Sequence, residues 1–303
     1  MDEPRFRARG PGFVEGIAPA KLNLFLEVVA RRSDGYHELA TVFHEIDFGD
    51  ELRVELAPGA AKDRLELHGL AIDGDPAENL ALRAVRAYRQ RRPATPPVRI
   101  VLRKLVPPGT GMGGGSADAA FVLRALQSLV APLDRNVAAD IARELGADVG
   151  FLLQGGTAIG RGRGDELEPL SGFRPWVFLL ALSPFAIATA RAYGAVDLNA
   201  PRSDVLSAIV RLRERDCPTG FASCFNRLES AACRIEPRLA ETLRWLRENT
   251  RRHWAMTGSG SAVFAPMISE FEAAAVRDEL QGRRDLDLRI VRSFDRQLGK
   301  QCT

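Results

Sequence analysis

A glycine-rich segment in the middle of the chain places the strongest constraint on how this sequence folds. Five glycines lie within seven positions, from Gly109 to Gly115. The apolar stretch Val98–Leu105 before it has the pattern of a strand, and the Ala-rich stretch from Ser116 to Val130 after it has that of a helix. Because glycine lacks a Cβ, such a loop can bring several backbone N–H groups against one anion, aided by the partial positive charge of the helix N-terminus. The segment therefore predicts a site for a di- or triphosphate.

Three common phosphate-binding motifs do not fit this loop. A Walker A loop requires lysine at the position of Gly115. The spacing of Gly109, Gly111 and Gly114 matches a dinucleotide fingerprint, but Asp134, at the distance expected of its acidic residue, follows no strand. A protein-kinase loop requires valine where Ser116 stands, and no H-R-D or D-F-G motif follows. A nicotinamide-dependent dehydrogenase is therefore the least favoured of the functions considered.

The composition is that of a globular enzyme with enough apolar residues for a sizeable core. The 303 residues are 46% hydrophobic and 27% charged, which suits two domains and excludes a disordered chain or a coiled coil. A net charge of +3 does not favour a nucleic-acid or membrane surface, and no apolar run is long enough to cross a bilayer. We expect a soluble cytoplasmic protein with a flexible arm over residues 1–16. The cysteines form no C-x-x-C pair and are expected to be reduced thiols: Cys217, Cys224, Cys233 and Cys302.

Strand and helix patterns are mixed along the chain without strict βα alternation, which favours an α+β fold. Strands are predicted at Lys21–Ala30, Thr41–Asp47, Glu51–Leu56, Arg64–Leu67, Val98–Leu105, Phe151–Ile159, Val177–Leu182 and Leu286–Val291, with a strand–loop–strand unit at Trp254–Phe264. Helices are predicted at Asn79–Gln90, Ser116–Val130, Arg135–Leu145, Ser203–Arg215, Phe225–Ala232 and Arg238–Glu248, and from Ser269 onward. A loop is predicted over Gly160–Glu166. A domain boundary near Ser171 gives domains 1–170 and 171–303.

Three blocks in the right order resemble the motifs of the GHMP kinases, the family of galactokinase, homoserine kinase, mevalonate kinase and phosphomevalonate kinase. The stretch Pro107–Ala120 (PPGTGMGGGSADAA) closely resembles the phosphate loop of that family. Pro19–Leu24 (PAKLNL) resembles its first motif and Met256–Ala265 (MTGSGSAVFA) its third. The resemblance covers nearly the whole chain. It implies an N-terminal ATP-binding domain like the second domain of ribosomal protein S5, followed by a ferredoxin-like C-terminal domain.

Two shorter blocks are similar to one branch of this family. They are Asp34–Leu39 (DGYHEL) and Gly146–Val149 (GADV). That branch uses ATP to phosphorylate the 2-hydroxyl of cytidine-diphosphate-linked methylerythritol, a step of isoprenoid biosynthesis. Two alternatives stay open at this point: another branch, of the mevalonate or homoserine kinase type, and a nucleotide-binding protein without catalytic activity. The first is less favoured because its substrates carry no nucleobase to stack on Tyr36.

The resemblance also implies roles for particular residues. Asp148 is the expected catalytic base, and Lys21 the cation that keeps it ionised; on the residues alone they would be a turn aspartate and a surface-reaching lysine. The expected ATP cradle is Pro107, Pro108, Gly109, Thr110, Gly111, Met112, Gly113, Gly114, Gly115, Ser116 and Ala117, with Ser116 a candidate Mg²⁺ ligand. The expected substrate contacts are Asn23, Tyr36, His37 and Tyr193.

The sequence departs from the branch at two positions and carries one further expected contact. Ala117 stands where the branch has a second serine, and Gly150 where it has proline. The Gly258–Ser261 loop is expected to support the phosphate loop. The partners expected are the small-molecule substrate and ATP, with no nucleic acid or membrane, and the protein is expected to be a monomer or weak homodimer.

Overall fold

A computed structural model describes residues 6–173, 175–213, 221–283 and 285–294, with side chains from residue 10 onward. The strands are β1 Phe6–Gly10, β2 Phe13–Arg31, β3 His37–Leu56, β4 Arg64–Gly69, β5 Val98–Lys104, β6 Thr157–Gly162, β7 Glu166–Pro169, β8 Val177–Leu182, β9 Phe225–Asn226, β10 Ala255–Met256, β11 Val263–Met267 and β12 Asp287–Arg292. The helices are α1 Leu80–Arg91, α2 Gly114–Leu129, α3 Arg135–Leu145, α4 Ala147–Gln154, α5 Thr189–Gly194, α6 Val205–Arg213, α7 Glu229–Ile235, α8 Pro237–Thr250 and α9 Glu270–Glu279. Within the described ranges, none of the helices is long and apolar enough to cross a membrane.

The first sheet is built around the long antiparallel strands β2 and β3. Its order is β1-β2-β3-β5-β4, while β6 and β7 extend from β3 and the two-residue β9 pairs with β2. Helices α1 and α2 pack on one face with apolar side chains such as Tyr88 and Phe121, in one cluster with Val54 and Ile100 of the sheet. This burial of apolar area holds α2, and with it the glycine loop at its N-terminus, against the sheet.

A second, four-stranded antiparallel sheet has the order β10-β11-β8-β12. One cluster joins it to the first sheet, where Leu22 and Leu24 of β2 share a core with Phe178 and Leu180 of β8. Helices α7, α8 and α9 contribute to another cluster with this sheet, around the fully buried Trp254. Because β2 is covered on both faces, every residue from Ala18 to Val28 is buried, polar ones included.

Four separate parts of the chain lie along one edge of β2. β1 pairs with its beginning, through Gly10 and Phe13, and β9 pairs in parallel with Phe25 and Leu26. Between them, the backbone N–H of Lys21 donates to the Met112 carbonyl at 3.0 Å, and that of Asn23 to the Thr257 hydroxyl at 2.9 Å. The segment at β9 is further held by Arg227, whose guanidinium donates two hydrogen bonds of 2.7 Å each to the buried carboxylate of Glu27.

The predicted arm over residues 1–16 is wrong for the part that the structure describes. Residues Phe6–Gly10 form β1, and a Pro11-Gly12 turn leads directly into β2. Gly12 takes the left-handed φ of 96° that this tight turn requires. The alternation of Phe6 and Ala8 with arginines is a strand pattern, which the high charge of the segment obscured. Residues 1–5 lie outside the described residues.

The apolar run predicted as strand Phe151–Ile159 is wrong in its first half. Residues Ala147–Gln154 form α4, and the strand β6 starts only at Thr157, after two glycines with positive φ end the helix. Short apolar runs have no periodicity that separates a buried helix from a buried strand. The loop predicted over Gly160–Glu166 is also shorter than expected, since β6 continues to Gly162 and β7 starts at Glu166 in a hairpin.

Two other predictions need correction. The strands predicted at residues 41–47 and 51–56 are one strand, β3, because Gly49 and Asp50 between them stay paired with β2. The helix predicted at Phe225–Ala232 is instead β9 followed by α7 from Glu229, since pairing with β2 overrides local helix preference. The helix predicted over 203–215 spans Val205–Arg213, its last two residues lying outside the described residues together with Cys217 and Cys302. The boundary at residue 170 stays a prediction.

Candidate active site

A cavity of about 1330 Å³ lies where the glycine loop, the middle of β2 and the turn before β3 meet α4 and α5. Nearly all of the residues predicted for the site line it: Lys21, Asn23, Tyr36, His37, Pro107, Pro108, Gly109, Thr110, Gly111, Met112, Gly113, Gly114, Gly115, Ser116, Asp148 and Tyr193. The exception is Ala117, which is buried inside α2 and does not reach the cavity. Side chains far apart in sequence are thus gathered around one space.

Lys21 and Asp148 form an ion pair at the centre of the cavity. The Lys21 Nζ lies 3.6 Å from the Asp148 Oδ2 and donates a 2.6 Å hydrogen bond to the Asn23 Oδ1. The lysine side chain is 3% exposed, whereas that of Asp148 is 31% exposed. Burial lowers the pKa of Lys21, and the adjacent Asp148 carboxylate opposes that shift. The lysine therefore does not reach toward the surface but is held beside a carboxylate that faces the cavity.

Asp148 lies in the first turn of α4, after Gly146 at the N-cap, which has no side-chain hydrogen bond to the helix. A carboxylate in this position interacts favourably with the partial positive charge of the helix N-terminus. Gly150 lies two residues further along α4. A Cβ added to it would lie 3.4 Å from the side chain of Leu167 of β7. The start of α4 therefore places the carboxylate at the cavity, where it pairs with Lys21.

Gly113 brings the glycine loop against this ion pair. It precedes α2 with a φ of 71°, a left-handed conformation that other residues rarely adopt. A Cβ added there would lie 3.3 Å from the Asp148 Oδ2 and 3.4 Å from the Lys21 Cε. Glycine is therefore required at position 113, because the loop and the N-terminus of α2 meet the two charged side chains there.

The loop between β10 and β11 interlocks with the glycine loop. Gly111 has a φ of 79°, and a Cβ there would overlap the Thr257 carbonyl oxygen. The backbone N–H of Ala262 donates to the Thr110 carbonyl at 3.3 Å, and the hydroxyls of Ser259 and Thr189 are 2.8 Å apart. The contact expected from the Gly258–Ser261 loop is therefore present, and it joins the second sheet to the glycine loop.

Asn226 holds this interlocked pair in place, and the sequence analysis missed it. Its Nδ2 donates to the carbonyls of Met256 and Gly258, both at 2.8 Å, while its Oδ1 accepts from the Leu228 N–H. The side chain is buried, and protein groups satisfy all of its polar atoms. No sequence signal marked it, because the surrounding residues resembled a helix.

Asn23 connects the ion pair to the rest of the site. Its Oδ1 accepts from Lys21, and its Nδ2 donates to the Thr41 hydroxyl at 2.8 Å. Thr41 in turn donates to the Phe25 carbonyl at 2.7 Å. This buried chain of hydrogen bonds fixes the rotamer of Asn23 and, through it, the position of the lysine ammonium.

The other end of the cavity carries three rings. The His37 and Tyr193 rings have centroids 5.2 Å apart at an angle of 33°. Tyr36 is 56% exposed, and the guanidinium carbon of Arg163 lies 4.7 Å from the centroid of its ring. Burial lowers the pKa of His37, with a smaller contribution from Arg31, so its imidazole is favoured in the neutral form. Burial also raises the pKa of Tyr193, and the Asp148 charge adds to this.

A buried charge cluster lies beneath the glycine loop, and sequence reasoning did not find it. Lys104 at the end of β5 donates to Asp50 of β3 and, at 2.9 Å, to Asp118 of α2. Burial lowers the pKa of Lys104, but the Asp118 and Asp50 carboxylates outweigh it and raise the pKa overall. Burial, together with the Asp50 charge and against the attraction of Lys104, raises the pKa of Asp118 to about 8. The cluster joins three elements that position the loop.

The fold and this glycine-loop site define the chain as a GHMP kinase. Residues 79–157 match the GHMP kinases N terminal domain and residues 219–284 the GHMP kinases C terminal domain, which confirms the predicted fold. The chain is 36% identical over 268 residues to the 4-diphosphocytidyl-2-C-methyl-D-erythritol kinase of Exiguobacterium sibiricum, covering 88% of this chain and 93% of that one. It is 39% identical over 280 residues to the kinase of the same name from Moorella thermoacetica, covering 87% and 93% of the two chains.

A solved structure agrees with these relatives. The crystal structure of a 4-(cytidine 5'-diphospho)-2C-methyl-D-erythritol kinase matches with a TM-score of 0.78 and 35% identity, over 93% of this chain and 100% of that one. The chain belongs to the 4-diphosphocytidyl-2-C-methyl-D-erythritol kinase family.

Proposed function

We propose that this protein transfers the γ-phosphoryl group of ATP to the 2-hydroxyl of 4-diphosphocytidyl-2-C-methyl-D-erythritol. The observation that carries the proposal is the Lys21–Asp148 ion pair at the apex of the glycine loop, 3.6 Å between Nζ and Oδ2. The pair lies between the phosphate loop and a ring-lined end of the same cavity. Family membership supports both the kinase reaction and the identity of the substrate.

ATP would occupy the part of the cavity along the glycine loop and α2. The loop backbone and the N-terminus of α2 supply N–H groups and a favourable dipole for the phosphates. An apolar wall continues from this point, since a Cβ at Gly115 would lie 3.5 Å from Leu80, and Leu67, Ile72 and Val106 line the same cavity. Such a wall suits the adenine ring and leaves the γ-phosphoryl at the apex of the loop, beside Asp148.

In the proposed reaction, Asp148 accepts the proton of the substrate 2-hydroxyl as its oxygen forms a bond to the γ-phosphorus. The bond between that phosphorus and the β,γ-bridging oxygen breaks, and ADP leaves with the electron pair. Lys21 pairs with Asp148 and faces the charge that spreads over the transferred group. Asn23 holds the lysine, so its role here is to position Lys21 as well as to contact substrate.

The site also fits a magnesium ion held together with the nucleotide. Mg²⁺ keeps several waters and takes one or two protein ligands plus substrate phosphates, so a cage of carboxylates is not needed. Among the described residues, no group of three or more His, Cys, Asp or Glu side chains could hold a metal ion. Ser116 lines the cavity at the start of α2 and is our proposed protein ligand. The ion would neutralise charge on the phosphates when bound.

We assign the cytosine ring to the end of the cavity lined by Tyr36, His37 and Tyr193. Neutral His37 can hydrogen-bond the edge of a base, while the exposed Tyr36 ring offers a face for stacking. Replacing Tyr36 with alanine is expected to raise the KM for the cytidine substrate about tenfold or more, as loss of a base stack predicts. The KM for ATP should change little, and initial rates with each substrate varied in turn measure both.

Phe271 offers a matched control for that substitution. It is 85% exposed and lies on α9, away from the cavity. Phe271→Ala should leave both KM values unchanged. Equal increases in the two KM values of Tyr36→Ala would contradict the stacking role.

The direct test of the proposed function is ADP release with Mg·ATP and three acceptors in parallel. The acceptors are 4-diphosphocytidyl-2-C-methyl-D-erythritol, mevalonate and homoserine. We expect turnover with the cytidine compound alone. Turnover with one of the other alcohols would replace the substrate while keeping the kinase reaction, and binding of ATP without turnover of any acceptor would favour a non-catalytic role. Cytoplasmic location and a monomer or weak homodimer stay predictions from the sequence.

A further inference from the structure

The ring of Tyr36 is fixed by few contacts of its own. Tyr36 is the last residue of the turn that starts at Arg32, and the Arg32 N–H donates to the Tyr36 carbonyl at 2.8 Å. The Tyr36 N–H donates to the Asp34 Oδ1 at 3.0 Å. These bonds fix the backbone, but the side chain is 56% exposed. A ring in this situation would lose rotational freedom on binding a base, which weakens the stacking it can offer.

One side chain lies over this ring. The guanidinium carbon of Arg163 is 4.7 Å from the Tyr36 ring centroid, within the range of a cation–π contact. Arg163 also lines the cavity, and its side chain is 29% exposed. It comes from the turn between β6 and β7, more than a hundred residues along the chain, so the contact depends on the fold.

The turn that carries Arg163 is itself well anchored. The Arg163 N–H donates to the Asp165 Oδ1 at 3.1 Å, and its Nη2 lies 3.6 Å from the Asp165 Oδ2. The preceding Gly162 N–H donates to the Glu38 Oε1 on β3 at 3.1 Å. The hairpin tip is therefore tied to the strand that follows the Tyr36 turn, and the guanidinium approaches the ring from a fixed direction.

We propose that Arg163 is a positioning residue for the cytidine substrate, which it serves by holding the Tyr36 ring in the plane that stacks on the base. The proposal rests on the proposed function, since it needs a nucleobase at this end of the cavity. A planar guanidinium packed on one face of the ring leaves the other face for the base and removes the rotamers that would turn the ring away. Arg163 acts before phosphoryl transfer, so it affects substrate binding and not the chemical step.

The test compares Arg163→Met with Arg163→Lys, using Arg161→Met as the matched control. Arg161 is an exposed residue of the same hairpin that does not line the cavity. Arg163→Met is expected to raise the KM for 4-diphosphocytidyl-2-C-methyl-D-erythritol by about three- to tenfold, with kcat and the KM for ATP within about twofold of wild type. Arg163→Lys keeps the positive charge but not the planar guanidinium, so its KM for the cytidine substrate should also stay above that of wild type. Arg161→Met should match wild type.

A double variant separates positioning from a general structural effect. In a Tyr36→Ala background, Arg163→Met should add no further increase in KM, because the ring that it positions is gone. Additive increases, full recovery in Arg163→Lys, or an unchanged KM in Arg163→Met would each overturn the proposal while the proposed function stands. Absence of wild-type turnover with the cytidine substrate would refute the proposed function and, with it, this role of Arg163.

Discussion

Asp148→Asn is expected to lower kcat by about 10²- to 10⁴-fold, the usual contribution of a positioned general base. Asparagine keeps the size of the side chain but cannot accept the hydroxyl proton. The same change removes the carboxylate that opposes burial at Lys21, so the pKa of that lysine should fall further. Both effects act on the chemical step, and ATP affinity should be largely retained because the glycine loop is untouched.

Single-turnover rates and ATP binding by calorimetry measure the two parts of that expectation. Asp140→Asn is the matched control, since Asp140 lies on the exposed face of α3, where it pairs with Arg143. Its kcat should equal that of wild type. A kcat of Asp148→Asn within about threefold of wild type would show that another group accepts the proton.

Lys104→Met is expected to lower the free energy of unfolding by about 3–5 kcal/mol, the typical cost of leaving a buried charge without its partner. The side chains of Lys104, Asp50 and Asp118 are at most 4% exposed. Removing the cation leaves the side chains of Asp50 and Asp118 facing each other away from water, without the ammonium that both of them bind. Urea unfolding measures the loss, and Lys62→Met, at an exposed lysine, should leave stability unchanged.

The pH dependence of the Lys104 variant provides a check on its cause. Without the ammonium, the pKa of Asp118, already raised to about 8, should rise further. A carboxyl whose folded-state pKa exceeds its unfolded value favours folding at low pH, and that contribution is lost as the pH rises through the folded-state pKa. The deficit of Lys104→Met relative to wild type should therefore widen as the pH rises above 8, where Asp118 of the wild type loses its proton and that of the variant keeps it, and it should stay nearly constant from pH 7 to pH 5. Adding Asp118→Asn should recover part of the deficit at pH 8. A deficit that changes neither with pH nor on adding Asp118→Asn would contradict electrostatic repulsion within the cluster as its cause.

The sequence was informative where local chemistry and local structure agree. The run of glycines between a strand and a helix predicted the loop between β5 and α2, and the alternation from Lys21 to Ala30 predicted the core of β2. It was misleading where long-range pairing decides the conformation. Asn226 lies in a two-residue strand that exists because it pairs with β2, and nothing within residues 225–232 encodes that pairing.

Other features were invisible for a different reason. The cluster of Lys104, Asp50 and Asp118 joins three elements, and nothing in the sequence around any one of these residues identifies the other two. Asp148 was singled out only through the resemblance to a kinase family, and its place in the first turn of α4 depends on an apolar run that a strand would explain equally well. Contacts between side chains distant in sequence follow from the topology, which pattern alone does not specify.

The edge of β2 that contacts β1, Met112, Thr257 and β9 restricts how the coding sequence for this strand can vary. Successive residues of a strand point to opposite sides, so inserting or deleting one residue before Lys21 would turn the ammonium into the core and a leucine into the cavity. It would also shift every partner along that edge, from β1 through Met112 and Thr257 to β9. Substitutions change these contacts one at a time, whereas a change in length moves them together, so residues 13–26 should keep a constant length among functional descendants of this chain.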